Sequence, residues 1–263
     1  MTTCLRHAVG LILALSCCCA HAADQAAAKA TKGAAMDYGP FLTSSLSLPP
    51  ASPAEKIPPA IAYKSINIKL GDGAFVAFDT DLLRYAAGWT GDWLNLAKTH
   101  MTTSKGDVCP AVGGKVVFRT KMGPGVSHDG NLDDPRAATM HMGPLPKEHA
   151  HYKGLYVSGE RVVLAYTAGG GEILELPGAK VTGGTTIFTR TFRVEHTTEP
   201  LTFVLADDAA GLSADLVAAP PGAKIEKTPT SLRLSLPAIA QSVVFAVAIG
   251  GQDVSSLIPS LPP

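Results

Sequence analysis

The sequence predicts an all-β protein: a large antiparallel β-sandwich with long loops and little helix. Short runs of strand-forming residues recur at close intervals along most of the chain. Glycine and proline supply 26 and 20 of the 263 residues, which is typical of strands joined by tight turns. No repeat of fixed period is present, and this disfavours a β-propeller.

The first part of the fold is predicted from alternation and turn residues. Residues 62–70 alternate polar and apolar side chains, and the hairpin-type turn Gly71-Asp72-Gly73 leads into a returning strand at 74–79. Residues 82–87 are expected to form a strand or a short helix, and residues 90–98 are the best candidate for a helix.

The second half has the denser strand pattern. A strand at 115–120 is followed by residues 121–150, a segment rich in Gly, Pro, Asp and His without periodicity. A loop of this length inside a compact domain is usually functional or mobile. Further strands are predicted at 152–157, 161–167, 172–176, 185–196, 201–205, 224–227, 231–236 and 242–249.

The ends of the chain differ in composition from its middle. A basic start, an apolar run and the cleavage sequence Ala20-His21-Ala22 predict a signal peptide over 1–22 and export to the periplasm or the medium. Cys17, Cys18 and Cys19 suggest a lipoprotein as the alternative. We expect a flexible lead-in at 23–35, one β-sandwich domain at 36–250 and a C-terminal tail at 251–263.

Charge and cysteine content exclude several classes of partner and cofactor. Lys and Arg total 22, as do Asp and Glu, so there is no basic field for nucleic acid. Four of five cysteines lie in the signal segment, which leaves Cys109 without a disulfide partner. No C-x-x-C-H haem attachment motif occurs, so no cofactor is expected in this chain. No later run is long and apolar enough for a transmembrane segment.

The segment from Phe75 to Trp93 contains the first group of candidate ligand-binding residues. On a strand, Asp79 and Asp81 would point to the same face, within reach of Arg84. This group suits an acid/base pair or a patch that binds a polyol. The alternative is a structural ion pair at the end of a strand, where aspartate favours a turn.

The only two tryptophans in the protein, Trp89 and Trp93, lie four residues apart. Indole rings can stack against the flat faces of sugars, so an exposed pair would form a carbohydrate-binding platform. The alternative is that both rings fill the core beneath the long loop.

Histidines cluster near the end of the long loop. His149 and His151 would share one strand face beside Tyr152, and an H-x-H pair can bind a metal. Acidic and imidazole ligands from the loop could complete such a site: His128, Asp129, Asp133 and Asp134. No recognised metal-binding spacing is present, so no metal is assigned.

Several separated blocks resemble one family. They include MDYGPF, AYKSINIKLG, FDTDLLRYAAGWTGDWL, KMGPG, GPLPKEHAHYKGLYVSGERVVLAYT and FTRTF. The sequence resembles an uncharacterised domain family of exported bacterial proteins, often found N-terminal to c-type cytochrome and sorbosone-dehydrogenase-like propeller modules. The resemblance spans residues 36–250. It implies an accessory role beside redox or sugar-oxidising modules, and a stand-alone or shortened copy of a larger chain. It implies no catalytic residues.

Three functions are therefore compatible with the sequence. The first is an exported accessory or binding module, with carbohydrate as ligand. The second is a carbohydrate-active hydrolase, lyase or epimerase that uses Asp79 or Asp81 with His149 or His151. The third is a structural domain that docks on a cytochrome or propeller partner through the long loop. Exposed tryptophans would favour the carbohydrate-binding module. A solvent-open cluster of carboxylates and histidines would favour the enzyme, and buried tryptophans would favour the docking domain.

Overall fold

The computed structural model describes residues 36–49, 61–96, 109–207, 211–251 and 254. These residues form two largely antiparallel β-sheets that are not closed into a barrel. They contain no α-helix, and the one helical element among them is a 3₁₀ turn at Ala137–Thr139. The prediction of an all-β sandwich is therefore confirmed.

The first sheet contains eleven strands within the described residues. Ten run in the order β15-β16-β13-β7-β4-β3-β2-β1-β6-β5, and β8 pairs with β13. Their bounds are β1 Phe41–Ser47, β2 Ile61–Gly71, β3 Ala74–Asp79, β4 Arg84–Thr90, β5 Leu94–Asn95, β6 Ala111–Val112, β7 Lys115–Arg119, β8 Val126–Ser127, β13 Leu201–Asp207, β15 Lys224–Lys227 and β16 Ser231–Leu236.

The second sheet contains six strands in the order β14-β17-β12-β11-β10-β9. Their bounds are β9 Ala150–Ser158, β10 Arg161–Ala168, β11 Gly171–Thr182, β12 Thr185–Val194, β14 Ser213–Val217 and β17 Val243–Gly250. Consecutive strands β9 to β12, which correspond to the strands predicted at 152–157, 161–167, 172–176 and 185–196, form an antiparallel meander, and β9 lies at the edge of the sheet.

Local sequence explains most of these elements. The predicted turn between β2 and β3 is present, with Asp72 and Gly73 at φ of 51° and 66°. Two consecutive residues with positive φ are the signature of the hairpin turn that matches strand twist. Gly88 on β4 is required for a different reason, since a Cβ there would lie 2.1 Å from the ring of Phe118.

The predicted helix at 90–98 is wrong for the part of it that is described. Thr90 ends β4, and residues 94–95 form the short strand β5; residues 97 and 98 lie outside the described residues. Leu94 packs with Trp89 and Leu46 against the first sheet, so tertiary burial overrides the local helical pattern. The short strands β1, β5, β6, β8 and β14 were not predicted.

The first sheet buries apolar side chains on both of its faces. Val76 and Phe78 of β3 belong to the large core between the two sheets. Ala77, which points the opposite way on the same strand, belongs to a second cluster with Trp89 and Leu46. This double burial explains why six of the seven residues of β4 are buried.

A polar cluster lies inside the core between the sheets. Arg190 of β12 donates to Glu175 of β11 twice, with Nε 2.5 Å from Oε1 and Nη2 3.1 Å from Oε2. Tyr166 of β10 donates to the same carboxylate at 2.6 Å. Arg190 also donates to the carbonyl oxygen of Val204 in the first sheet, at 3.3 Å. Its guanidinium therefore joins the two layers.

Aromatic rings enclose this guanidinium. The Arg190 Cζ lies 4.6 Å from the ring centroid of Tyr85, 5.0 Å from Phe192 and 5.8 Å from Phe203. Glu175 is fully buried, and Arg190 is 3% exposed. A buried pair of this kind is strongly destabilising when one partner is removed, because the other charge is left without compensation.

We predict that Glu175→Ala lowers the free energy of unfolding by about 3–5 kcal/mol. The double variant Glu175→Leu/Arg190→Met should recover most of that loss, because it leaves no uncompensated charge. The surface pair Lys224–Glu226 is the control, and Glu226→Ala should cost at most about 1 kcal/mol. Urea unfolding of the four proteins measures this. A Glu175→Ala loss no larger than that of Glu226→Ala would contradict the prediction.

Burial, followed by the negative charge of Glu175, raises the pKa of Tyr85 and Tyr166 well above the ordinary tyrosine value of about 10. A pKa raised on folding means that the neutral hydroxyl is favoured in the folded state. Its stabilising contribution is complete below pH 10 and disappears as the pH rises through the folded pKa. We therefore predict that alkaline unfolding coincides with ionisation of these two tyrosines.

Absorbance at 295 nm, recorded beside circular dichroism from pH 8 to 13, tests this linkage. The variant Tyr156→Phe, which removes an exposed tyrosine, is the control for Tyr85→Phe and Tyr166→Phe. If all six tyrosines titrate together before any loss of structure, the two buried hydroxyls are accessible and the prediction fails.

Candidate functional site

A surface groove of about 420 Å³ lies where the β1–β2 hairpin of the first sheet meets β9, the edge strand of the second sheet. Its walls are polar and aromatic, with an apolar contribution from Ile66 and Leu155. The other lining residues carry hydroxyl groups or an ammonium: Thr43, Ser44, Ser45, Tyr63, Lys64, Ser65, Thr80 and Tyr152. We take this groove as the candidate functional site.

A β-bulge shapes the first wall of the groove. Ser44 pairs with Ser65 and Leu46 pairs with Ala62, so two residues of β2 stand opposite one residue of β1. The two residues of β2 at the bulge are Tyr63 and Lys64, and both side chains are exposed. Bulges reorient side chains and are frequent beside functional sites. Here the bulge presents an aromatic ring and a cation side by side.

Two hydroxyl groups of the groove donate their protons to the backbone. The Ser45 hydroxyl donates to the carbonyl oxygen of Tyr63, and the Thr80 hydroxyl donates to that of Lys64, each at 3.0 Å. A hydroxyl that has donated its one proton keeps lone pairs that can accept. The groove therefore offers acceptors to a ligand that itself carries O–H or N–H donors.

The second wall comes from β9. Tyr152 is half-buried, and its ring lies 6.3 Å from that of Phe78 in the core. Burial raises the pKa of the Tyr152 hydroxyl, which therefore stays neutral near pH 7. Tyr152 is the one predicted ligand-binding residue that lines this groove.

Asp79 and Arg84 form a buried ion pair near the groove. The Arg84 Nη2 lies 3.1 Å from Asp79 Oδ2, and the two side chains are 1% and 4% exposed. Arg84 Nη1 also donates to the Thr120 carbonyl at 2.9 Å. Burial lowers the pKa of Arg84, and the charge of Asp79 opposes that change. Both residues are in the interior and serve the structure, so the predicted solvent-facing patch does not form from them.

Asp81 does not share the strand face of Asp79, contrary to the expectation from sequence. β3 ends at Asp79, and Asp81 lies in the turn that follows, where its amide donates to Asp79 Oδ1 at 3.2 Å. Burial, with the Asp79 charge, raises the pKa of Asp81; Arg136 and Lys64 act in the opposite direction. The turn includes Leu83 at φ 51°, an unusual conformation for a side chain of this size.

The turn at 80–83 is held in place by backbone contacts from the long loop. The amide of Leu145 donates to the Asp81 carbonyl at 2.9 Å, and that of Gly125 donates to the Leu82 carbonyl at 2.8 Å. A Cβ at Gly125 would lie 2.1 Å from the Leu83 carbonyl oxygen, so only glycine permits this approach. The segment 121–149 is therefore packed on the sandwich. It contains β8 and the 3₁₀ turn and is otherwise irregular, as predicted.

The two tryptophans do not form an exposed platform. Trp89 is fully buried, while Trp93 is half-buried and stacks on it at a centroid distance of 5.9 Å. The Trp89 indole Nε1 donates to the Asp92 carbonyl at 3.1 Å. Trp93 also contacts Phe75, at 5.0 Å. This arrangement resembles the core-filling alternative, which favours docking, but the rings cover the outer face of the first sheet and no residue of the long loop belongs to their cluster.

His149 and His151 have different environments. His149 Nε2 lies 3.2 Å from the Val126 carbonyl, and its ring is 5.5 Å from that of His128 in a T-shaped contact. His128 in turn contacts the Glu199 carboxylate. His151 lies on β9, opposite Thr167 of β10. No hydrogen bond or ion pair in the described part of the chain joins either histidine to Asp79 or Asp81. The described contacts therefore do not join these histidines and carboxylates in one hydrogen-bonded cluster.

Within the described ranges, no group of three or more His, Cys, Asp or Glu residues is arranged to hold a metal ion. Cys109 is half-buried and has a free thiol. Among the residues described, no helix has the length and hydropathy needed to span a bilayer.

Sequence reasoning missed most of the groove, although one signal for it was present. In the alternating segment 62–70, Lys64 falls in the apolar phase, between Ala62 and Ile66. A charged side chain at such a position marks a strand that changes face, as it does here at the bulge. Ser45 and Thr80 carried no comparable signal, since their role depends on the distant strand β9.

Comparison with known proteins gives one match. Residues 76–175 match the model of a domain of unknown function, DUF6797. The matched region runs from β3 into β11 and includes all eight predicted site residues: Asp79, Asp81, Arg84, Trp89, Trp93, His149, His151 and Tyr152. The resemblance to an uncharacterised domain is confirmed at that level. The link to cytochrome or propeller modules stays a prediction.

No curated protein and no solved structure matches this chain. DUF6797 has no established activity, so the match carries no catalytic role to any residue. The functional argument therefore depends on the geometry of the groove and its surroundings.

The burial of the tryptophans gives a testable prediction. Trp93→Phe, which retains an aromatic ring, should leave a blue-shifted emission from Trp89 that acrylamide quenches weakly. Trp89→Ala should lower the free energy of unfolding by about 3–5 kcal/mol, because it opens a large cavity. Emission spectra and urea unfolding measure both. Strong quenching of the remaining indole in Trp93→Phe would show that Trp89 is solvent-exposed and overturn this assignment.

Proposed function

We propose that this chain is an exported accessory module that binds a carbohydrate or another polyol in the groove between the β1–β2 hairpin and β9. The observation that carries the proposal is the bulge, which sets the exposed ring of Tyr63 and the ammonium of Lys64 beside the hydroxyls of Ser45 and Thr80. Tyr63 is 44% exposed, so part of its surface is open to a ligand.

The chemistry of the groove favours a neutral polyol. A sugar ring can stack its C–H face on an aromatic side chain while its hydroxyl groups donate to nearby oxygens. Ser45 and Thr80 hold their protons in bonds to the backbone, so their free lone pairs suit a ligand with several O–H donors. Lys64 supplies the complementary donor for a ring or glycosidic oxygen. A ligand that can only accept hydrogen bonds would leave the lone pairs of Ser45 and Thr80 without a donor.

The position of the groove suits binding more than bond cleavage. Glycoside hydrolysis requires two carboxyl groups on either side of the bond that breaks. Among the described residues, no aspartate or glutamate lines this groove, and the described acids next to it in sequence are Asp79, which is paired with Arg84, and Asp81. Binding of a glycan, with chemistry performed by a redox or sugar-oxidising partner, is therefore the function that the geometry supports.

Isothermal titration or a glycan array, followed by variants, tests the proposal. We expect at least one oligosaccharide to bind, and Tyr63→Ala to weaken that binding about 10-fold, equivalent to about 1.4 kcal/mol. Lys64→Ala should weaken it by a smaller factor. Tyr156→Ala is the matched control, since Tyr156 is 65% exposed and does not line the groove. It should leave the affinity unchanged.

Two results would contradict the proposal. One is equal loss of affinity in Tyr63→Ala and Tyr156→Ala, which would place the binding surface elsewhere. The other is no binding across a broad panel of neutral and acidic glycans. The second result would favour the docking alternative, in which the ordered segment 121–149 contacts a cytochrome or propeller partner.

A further inference from the structure

A turn in the long segment presents two exposed methionines on either side of a histidine. Met140, His141 and Met142 follow the 3₁₀ turn directly. Met140 is 83% exposed and Met142 49%, although methionine is usually a core residue. The His141 side chain is 55% exposed. Three consecutive residues thus present two thioethers and an imidazole to solvent.

The backbone of this turn is held by a dense set of hydrogen bonds. The amide of His141 donates to the Arg136 carbonyl at 2.9 Å, and that of Met142 donates to the Thr139 carbonyl at 3.1 Å. The Thr139 hydroxyl donates to the Met142 carbonyl at 2.8 Å. Met140 and His141 both adopt positive φ, at 54° and 60°. Two consecutive residues in that region persist only where surrounding contacts fix them.

The imidazole of His141 is oriented by a carboxylate. Its Nδ1 lies 3.2 Å from Asp134 Oδ2, and Arg136 holds the same carboxylate through Nε at 2.9 Å and Nη2 at 2.8 Å. A histidine that donates from Nδ1 to a carboxylate presents a free lone pair on Nε2. Carboxylate–histidine pairs of this kind commonly support metal-bound histidines, because they fix the tautomer and the ring orientation.

We propose that Met140, His141 and Met142 form a binding site for a soft monovalent cation, Cu(I) in the first instance. Thioether sulfur is a ligand that favours Cu(I), and imidazole nitrogen also suits copper. Thioethers and imidazole bind metals as neutral ligands, and Asp134 is already balanced by Arg136, so the site matches a low positive charge better than a hard divalent ion. Zn²⁺, Ca²⁺ and Mg²⁺ lack the anionic ligands they prefer.

This proposal is independent of the carbohydrate groove. None of the three residues lines the groove, and the ligand classes share no donor requirement. It also goes beyond the sequence-based expectation, which weighed only histidine and carboxylate ligands. The binding involves no change in the oxidation state of the metal, so no further reactant is needed.

The test uses protein from residue 23 onward, the mature form that the signal segment predicts. Cys109→Ser is introduced throughout, because a free thiol would compete for Cu(I). Anaerobic titration of Cu(I) against a chromogenic Cu(I) chelator measures stoichiometry and affinity. Ag(I), followed through the methionine methyl signals by NMR, identifies the ligands without redox chemistry. We expect one Cu(I) for each chain, with Ag(I) shifting the methyl signals of Met140 and Met142.

Three variants locate the site. Removal of a residue that only supports a metal ligand typically costs roughly 10- to 100-fold in metal affinity. Met140→Leu/Met142→Leu removes two of the proposed ligands themselves and should therefore reduce the Cu(I) affinity by more than that. His141→Asn should weaken binding as well. Met122→Leu is the matched control, since Met122 is 47% exposed but lies outside the turn, and it should bind as the parent does. Leucine conserves volume, so thermal unfolding should be unchanged in every Met→Leu variant.

Each of these measurements has an outcome that would overturn the proposal. Stoichiometric Cu(I) binding that survives Met140→Leu/Met142→Leu would show that the ion is held elsewhere. No binding able to compete with the chelator would show that the exposed methionines serve another role, such as adaptable contact with a protein partner. Equal or tighter binding of Zn²⁺ would contradict the assignment of a soft-cation site.

Discussion

The buried guanidinium of Arg190, which is paired with Glu175, links the two sheets of this protein. Glu175 accepts from Arg190 and Tyr166 within the second sheet, and Arg190 reaches the Val204 carbonyl of the first. Sliding of one sheet over the other would part Arg190 from the Val204 carbonyl and from the rings of Tyr85 and Phe203 in the first sheet, and it would leave the buried guanidinium with Glu175 alone. The groove depends on this constraint. Its walls come from both sheets, with Tyr63 on one side and Tyr152 on the other.

The second constraint is the burial of both faces of the first sheet. One face packs on the second sheet, and the other is covered by a separate apolar cluster that contains Trp89. A chain with only two tryptophans uses both of them there, so they are not available as a sugar platform. The exposed aromatic ring of the groove is supplied instead by Tyr63, which the bulge in β2 turns toward solvent.

The sites proposed for a glycan and for a soft cation share a structural basis. Both lie on the surface, and the backbone beneath each is held by several hydrogen bonds. The turn after β3 is held by amides of Gly125 and Leu145, and this anchors the long segment to the sandwich. That segment then carries Arg136, whose pairing with Asp134 orients His141. A segment without periodicity can thus be well ordered, because its backbone groups are satisfied by the domain on which it packs.

The sequence by itself determined the fold class, the strand meander and the β2–β3 turn, because these depend on alternation and on residues that allow positive φ. It also contained two exceptions to the alternating pattern, since Lys64 and Arg190 are charged residues at positions of a strand that are otherwise apolar. Only the tertiary structure decided what those exceptions mean. Lys64 marks a bulge at the groove, whereas Arg190 finds Glu175 on the neighbouring strand. Burial separated Trp89, Asp79 and Arg84 from solvent, and burial is set by which sheet faces meet, a property that no local pattern specifies.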